Sequence, residues 1–448
     1  MILALFAPVL VAALGVPAGA KSAAPLVPTT VRAAILLDGD AANAGIAGLL
    51  GTAGRHAASL SPESFSRELS SSVGVDLLGD TRAFGLAASG PRALVFASGS
   101  IALSAPLADA KVARRAVDAW LGLPTRKSKP LPLKGADVAG NRAALIAGGR
   151  LYIGSGPHAA ALVNDLSRVP ATRSLAKDKT WAAALALATG PAAIWFRADA
   201  LLRGGLFSID ARATGLSLRG LLLPAGDAPL LVGEAPVSCG DGKLACLRAE
   251  LGAGGRALFA AGVRDYVFRA FGAGQRDYLD RLTQRAAATA GKIAVRLDGL
   301  DAHLLGDESD SIWALRLAAA VETPAPQLPP GDLPRGFAKK PSGLSAEGRR
   351  PLCVVLEPKS ASLSTPCMES PSLSGGSDHA LESTLDPAAI DRALSMLSPL
   401  DALHGPVAAG AYAAHLIYGA LLRSSGPASL TGQPAGAAAE LELRIPIR

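Results

Sequence analysis

Two-residue glycine turns set between short apolar runs leave much of this chain little choice but to form hairpins. Residues 93–97 (ALVFA) and 101–107 (IALSAPL) flank Ser98-Gly99-Ser100, while ADVAG, RAALIA and RLYIGSG follow one another across Gly140-Asn141 and Gly148-Gly149. Glycine accepts the left-handed backbone that tight hairpins require, so this punctuation predicts antiparallel pairing. Residues 61–73 (SPESFSRELSSSV) begin with a Ser-Pro-Glu helix start. Further helices are expected at about 108–122 and at 157–168, the latter opening at Pro157. Hairpins with helices interposed indicate an α+β fold of mainly antiparallel sheets with packed helices, not a doubly wound parallel sheet.

An internal echo extends that plan. Residues 33–41 read AAILLDGDA, residues 192–200 read AAIWFRADA, and a fainter copy, AVRLDGLDA, stands at 294–302. Each is a strand-like run leading into Asp-Ala, so two related domains from an internal duplication are expected. The first would span 32–190 and the second begin at 191–321, with a proline-rich linker or ordered loop at 322–350 and residues 351–448 completing it. In the second domain FSIDARA and LSLRGLLL flank Gly215, LACLRAEL and RALFAAGV flank Gly252 to Gly255, and 274–290 reads as a helix. Helices are expected near 386–397 and 405–423, the longer one buried in a globular fold. In the last strand Leu441, Leu443, Ile445 and Ile447 share a face, and Pro446 places it at a sheet edge. A strand ending in Asp-Ala before a helix, followed by RLYIGSGPHAAALVNDL, resembles tandem-repeat exported bacterial proteins of unknown function over about residues 30–300. That resemblance implies an α+β fold and an envelope location, and it brings no catalytic residues.

Residues 1–20 contain no charged side chain and end in Ala18-Gly19-Ala20, a small-x-small triplet suited to signal peptidase. The segment reads as a signal peptide cleaved after Ala20 or, since a span needs roughly 20 apolar residues, as a retained anchor. Pro8, Gly15 and Pro17 favour cleavage. Residues 21–31 then read as a short flexible lead-in. The expected location is extracytoplasmic, periplasmic or secreted, with membrane contact only through an uncleaved N-terminal segment.

Charge and cysteines bear on partners. The formal charge is +7, but charged residues are only 18% of the chain and aromatics 4%, with no aromatic-interleaved basic stripe. Nucleic acid is therefore not an expected partner. The densest basic cluster (Arg335, Lys339, Lys340, Arg349, Arg350) lies in the proline-rich connector and reads as solvated, with contact to an anionic envelope surface as the sharper reading. Four cysteines in an exported chain favour disulfides, and three pairings are open. The local pairs Cys239–Cys246 and Cys353–Cys367 are preferred, the first closing a loop that holds Gly240-Asp241-Gly242. Their spacing is too wide for a four-thiolate zinc ribbon.

Several patterns approach catalytic signatures without completing them. Asp38-Gly39-Asp40 follows an apolar strand as in aspartyl-nucleophile phosphatases, but Arg197 replaces the first Asp in the echo, where Asp199 matches Asp40, so helix capping is expected. Ser377-Asp378-His379 holds three triad residue types side by side, where a triad needs them to converge from separate elements. Ser174-Leu-Ala-Lys177 lacks the partner motifs of penicillin-binding enzymes. Gly252-Ala-Gly254-Gly255-Arg-Ala257 approximates a dinucleotide loop, but with strands expected on both sides it reads as a hairpin turn. Gly306 to Asp310 is an acidic turn, and the six histidines show no metal spacing. No catalytic, cofactor or metal site is therefore expected. The chain reads as an exported non-enzymatic protein that binds an unknown protein or an apolar envelope ligand. The alternatives are a serine hydrolase with its nucleophile near 360–379, and a carrier of lipid or other apolar molecules.

Overall fold

The computed structural model describes residues 20–77, 80–122, 137–188, 190–198, 201–236, 244–267, 271, 273–289, 291–305, 311–324, 326–329, 332–346 and 351–447. Nineteen strands form one sheet: β1 (Ala33–Asp38), β2 (Pro91–Ala97), β3 (Ser100–Pro106), β4 (Asp137–Ala139), β5 (Arg142–Ala147), β6 (Arg150–Ser155), β7 (Ala192–Arg197), β8 (Leu202–Arg212), β9 (Gly215–Pro224), β10 (Ala245–Glu250), β11 (Lys292–Leu300), β12 (Leu315–Glu322), β13 (Phe337–Lys340), β14 (Gly343–Ala346), β15 (Leu352–Glu357), β16 (Ser360–Thr365), β17 (Leu381–Leu385), β18 (Ala428–Ala435) and β19 (Ala438–Pro446). Among the described residues ten α-helices accompany them: α1 (Ala20–Ala23), α2 (Gly39–His56), α3 (Pro62–Val73), α4 (Ala110–Trp120), α5 (Ala159–Ser167), α6 (Ala182–Leu187), α7 (Ala253–Gly262), α8 (Ala273–Thr289), α9 (Pro387–Leu394) and α10 (Pro406–Ser424). The pairings among these strands are antiparallel, so the α+β class and the antiparallel sheet hold.

The strand path has an internal order. From one edge it runs β4-β5-β6-β3-β2-β1-β7-β8-β9, and from the other β13-β14-β15-β16-β12-β11-β10-β17-β18-β19. The runs meet where β9 pairs with β19, Leu218 opposite Leu443, and Arg219 reaches Glu440 at 2.7 Å. In each run the opening strand leads into helices, α2 and α3 after β1, α7 and α8 after β10. The echoed segments at 33–41 and 192–200 are not corresponding strands on these two paths. They are neighbours, β1 against β7 with Ile35 opposite Ile194, so the boundary at 190/191 falls inside one sheet.

Alternation sorts the strand residues of β1–β9 onto two buried faces. Ile35, Leu37, Leu94, Leu103, Leu151 and Ile153 pack with Ile46, Leu49 and Leu50 of α2 and Val117 of α4. Leu36, Val95, Leu145, Tyr152 and Trp195 point the other way, onto Leu162, Val163 and Leu166 of α5 and Leu185 of α6. Strands covered on both sides read as continuous apolar runs, as AAILL and ALVFA do. Ser61 accepts the Ser64 N–H at 3.2 Å and caps α3 as expected, and Asp109 and Asp386 cap α4 and α9 in the same way.

Four expectations change. Residues 21–31 are not a flexible lead-in: Ala23, Ala24, Val27 and Val31 are buried in the second of these clusters, and the Thr29 N–H donates to the Arg173 carbonyl. The run RALFAAGV is helix α7, not a strand. β19 is an interior strand between β18 and β9, and Pro446 is tolerated because it is the terminal residue. The proline-rich segment carries the β13–β14 hairpin, and its Leu328, Leu333 and Phe337 pack against Tyr278, Trp313 and Leu352. Among the described residues no helix is long and apolar enough to cross a membrane. The expected helix at 405–423 is α10, with Ala408, Ala411, Leu421 and Leu422 buried.

Candidate functional site

The far half of the sheet has one polar face. On β10, Leu247 and Ala249 turn into an apolar cluster with Ile293 and Val321, which leaves Cys246 and Arg248 on the opposite side. Register then builds a single cross-strand row there: Thr384, Cys246, Arg296, Ala318, Ser364 and Cys353 stand directly opposite one another on β17, β10, β11, β12, β16 and β15. Arg248 lies opposite Glu382 and forms an ion pair with it, and a second guanidinium N–H donates to the Pro236 carbonyl at 2.7 Å. Burial pulls the Arg248 guanidinium below its ordinary range because it loses hydration, and Glu382 supplies the compensating charge. Arg296 pairs with Asp298 at 2.9 Å.

Residues 366–380 cross this face and are pinned to it. Cys353 and Cys367 form a disulfide with Cα atoms 5.1 Å apart. Arg296 donates to the Glu369 carbonyl at 3.1 Å, Met368 N–H donates to Ser364 Oγ at 3.0 Å, and Lys292 Nζ donates to the Gly375 carbonyl at 2.8 Å. Cys246 is also disulfide-bonded, and its expected partner Cys239 lies outside the described residues, as does the Gly240-Asp241-Gly242 turn. With Arg248 and Arg296 each engaged by a carboxylate, this face clamps a connection over the sheet.

The sequence-selected triplet Ser377-Asp378-His379 is a local turn. Ser377 Oγ donates to the His379 carbonyl at 2.9 Å and accepts the His379 N–H at 3.2 Å, while His379 Nδ1 faces Gln433 Nε2 at 2.9 Å. The serine thus engages the backbone of His379, and the imidazole is turned to another strand. Ser174 is buried and bridges Pro28, whereas Lys177 is exposed. Asp38 occupies the N-cap position of α2 without a side-chain capping bond, so the capping expected there is not made by its carboxylate. Asp40 is in the first helical turn, and Asp199 and the acidic turn at 306–310 lie outside the described residues. Arg335, Lys339 and Lys340 are exposed, and Arg349 and Arg350 lie outside the described residues.

Gly252 to Gly255 does join a strand to a helix, unlike the hairpin expected, but protein already fills the helix start. The Gly254 N–H donates to the Pro229 carbonyl at 2.9 Å, and a Cβ on Gly255 would stand 2.1 Å from the Leu230 carbonyl oxygen. These glycines admit the chain at 229–231, in the space where a nucleotide loop would admit a pyrophosphate. Among the described residues no group of three or more His, Cys, Asp or Glu side chains is arranged to hold a metal ion.

Sequence reasoning missed two clusters on the helical insertion between β17 and β18. Asp391 on α9 is 1% exposed; its Oδ1 meets His415 Nδ1 at 2.8 Å and its Oδ2 accepts from Arg423 Nη1 at 2.6 Å. Gly419 makes room for the carboxylate, since a Cβ there would lie 2.6 Å from Oδ1. The signal was present: His415, Gly419 and Arg423 recur every fourth residue, and the two ionisable ones share one face of an apolar helix. Nearby, Asp401 accepts the Ser398 hydroxyl at 2.7 Å and the Ser398 N–H at 2.8 Å, with His303 Nδ1 at 3.2 Å. These bonds, led by the hydroxyl, hold its carboxyl at about 2. A carboxylate depressed in the folded state supports the fold above its unfolded pKa, near 3.8, and that support is lost as pH falls toward 2. Ser398→Ala should move the Asp401 midpoint upward in a carboxyl NMR titration; an unmoved midpoint would assign the depression to other groups.

A cleft of about 500 Å³ opens at the β2–β3 turn, lined among others by Arg32, Ser72, Ser98, Ser100, Asn141 and Ser155. Ser98 holds a positive φ of 47°, Ser100 Oγ accepts the His158 N–H at 2.8 Å, and Ser155 Oγ donates to the Ser72 carbonyl. The lining also includes Phe96, Ala97 and Ile101 and is more apolar than polar, with serine hydroxyls and the Arg32 side chain among it. No protein-family model, curated protein or solved structure matches the chain.

Proposed function

We propose that the protein is an exported, extracytoplasmic binding protein without enzymatic activity, built from two related units. The observation that carries this reading is the Cys353–Cys367 disulfide, with Cys246 also oxidised. Disulfides persist in oxidising compartments and are rare in the reducing cytosol. The uncharged run at 1–20 and the resemblance to exported tandem-repeat proteins agree with that address. The mirrored strand order of β1–β9 and β10–β19 supports duplication, with the repeat beginning at β10, not at β7 as the echo implied. Binding, in this reading, uses the cleft at the β2–β3 turn.

Cell fractionation followed by non-reducing peptide mapping tests the proposal. The chain should be recovered outside the cytoplasm with the peptides of Cys353 and Cys367 linked, and a fluorophosphonate probe should leave Ser377 unlabelled. Recovery in the cytosol with free thiols would overturn the address, and a labelled Ser377 would overturn the non-enzymatic reading. Opening the disulfide, which closes a 14-residue separation, should lower stability by about 3 kcal/mol on the chain-entropy account.

A further inference from the structure

The bond that export would cut lies against the core. In the exported reading, on which the proposal below rests, signal peptidase hydrolyses Ala20–Lys21 after the triplet Ala18-Gly19-Ala20. In the fold Ala20 already opens helix α1, which packs on β1, β2 and β7. Ala23 of this helix and Ala24 just after it are 0% exposed. The chain is then held as far as β1. The Leu175 N–H donates to the Val27 carbonyl at 2.8 Å, the Thr29 N–H to the Arg173 carbonyl at 3.0 Å, and the Arg197 N–H to the Arg32 carbonyl at 2.7 Å. Val27 and Val31 are buried in one cluster with Leu175, Leu185 and Trp195.

A protease needs backbone that can leave its own contacts and enter a cleft, so an exposed side chain is not sufficient. Lys21 and Ser22 are exposed, but their backbone is helical. Drawing it out would lift Ala23 and Ala24 from the cluster they share with β1, β2 and β7. The residues that hold this segment also come late in the chain. Arg173 to Leu175 and β7 follow β6, so during export residues 20–31 lack much of their seat until the first six strands have emerged.

We propose that cleavage at Ala20–Lys21 and docking of residues 20–31 compete, and that docking closes the site. While the segment is undocked, water adds its hydroxyl to the Ala20 carbonyl carbon. The C–N bond breaks, and the Lys21 nitrogen leaves with the remaining proton as a free amine. A chain cut before β7 is in place is released. A chain that docks first keeps residues 1–20 and stays tethered by them. Cleaved leader and retained anchor are then two outcomes of one competition, decided by the order of events in each chain.

Purified signal peptidase in detergent, given the full chain either folded or freshly diluted from urea, tests the proposal. The diluted chain should be cut at Ala20–Lys21, and the folded chain at least about a hundredfold more slowly, because cutting it waits on local opening. Ala24→Asp puts a charge into the buried cluster and should bring the folded chain within about tenfold of the diluted one. Limited trypsin digestion read by mass spectrometry needs no signal peptidase and no variant. It should spare the Lys21–Ser22 bond of the folded wild type and cut it after unfolding. Equal signal peptidase rates on folded and diluted chains would overturn the proposal and leave the export reading standing. Rapid trypsin cleavage at Lys21 in the folded chain would do the same. A diluted chain that signal peptidase leaves whole would overturn the export reading, and the proposal with it.

Discussion

Replacing His415 and Arg423 together with alanine will cost the fold about 3–5 kcal/mol. Asp391 is 1% exposed, and these two side chains are the partners of its carboxylate. A carboxylate out of water is tolerated only when paired, so the double substitution strands it, while each single one leaves a partner in place. The double loss should therefore exceed the sum of the single losses. Adding Asp391→Asn should return about 2 kcal/mol, because an unpaired buried amide costs less than an unpaired charge. Denaturant unfolding of the set measures this. Equal losses with Asp and Asn at 391 would place the cost in packing and not in charge.

Local chemistry made much of the fold legible. The β2–β3 and β5–β6 hairpins follow from Ser98-Gly99 and Gly148-Gly149, and α3 from Ser61 and Pro62, because turn and cap residues act within a few positions of themselves. The echo of 33–41 in 192–200 has a local physical reason. β1 and β7 are adjacent in a sheet buried on both faces, and neighbours in that setting meet the same demand for continuous apolar sequence. The strand expected at RALFAAGV failed differently. Its apolar residues suit a short buried strand or a helix, and the decision is made by the Pro229 carbonyl, which receives the Gly254 N–H across the fold.

The candidate sites were less legible because they depend on register and long-range contact. The Cys353–Cys367 pair follows from an even cysteine count and a short separation. That Cys246 and Cys353 would stand in one row with Arg296 and Ser364 depends on pairings across β10, β11, β12, β16 and β15, and no local pattern encodes them. The Ser377 triplet bonds back onto its own backbone, since adjacent residues cannot aim at one another.

Trp195→Ala should be among the most damaging single substitutions in the core, at about 3–5 kcal/mol. Trp195 lies fully buried on β7, between Ala34 of β1 and Leu206 of β8. Its ring meets Trp181 edge to face, with centroids 5.7 Å apart and planes at 84°. Truncation opens a cavity under α5 and α6 that rigid neighbouring strands cannot close. Trp181→Ala should cost a comparable amount. Because the two rings share one contact, the double variant should lose about 0.5–1.5 kcal/mol less than the sum of the single losses. Trp195→Phe should be milder than alanine for two reasons. It keeps an aromatic edge against Trp181, and it removes a buried Nε1–H that meets no acceptor among the described residues. Unfolding of the four-member cycle in guanidinium, followed by fluorescence and by far-UV dichroism, measures both the size and the coupling. Strict additivity would mean that the ring pair adds nothing beyond the volume each indole fills, and the edge-to-face contact would then be a consequence of packing rather than a contributor to it.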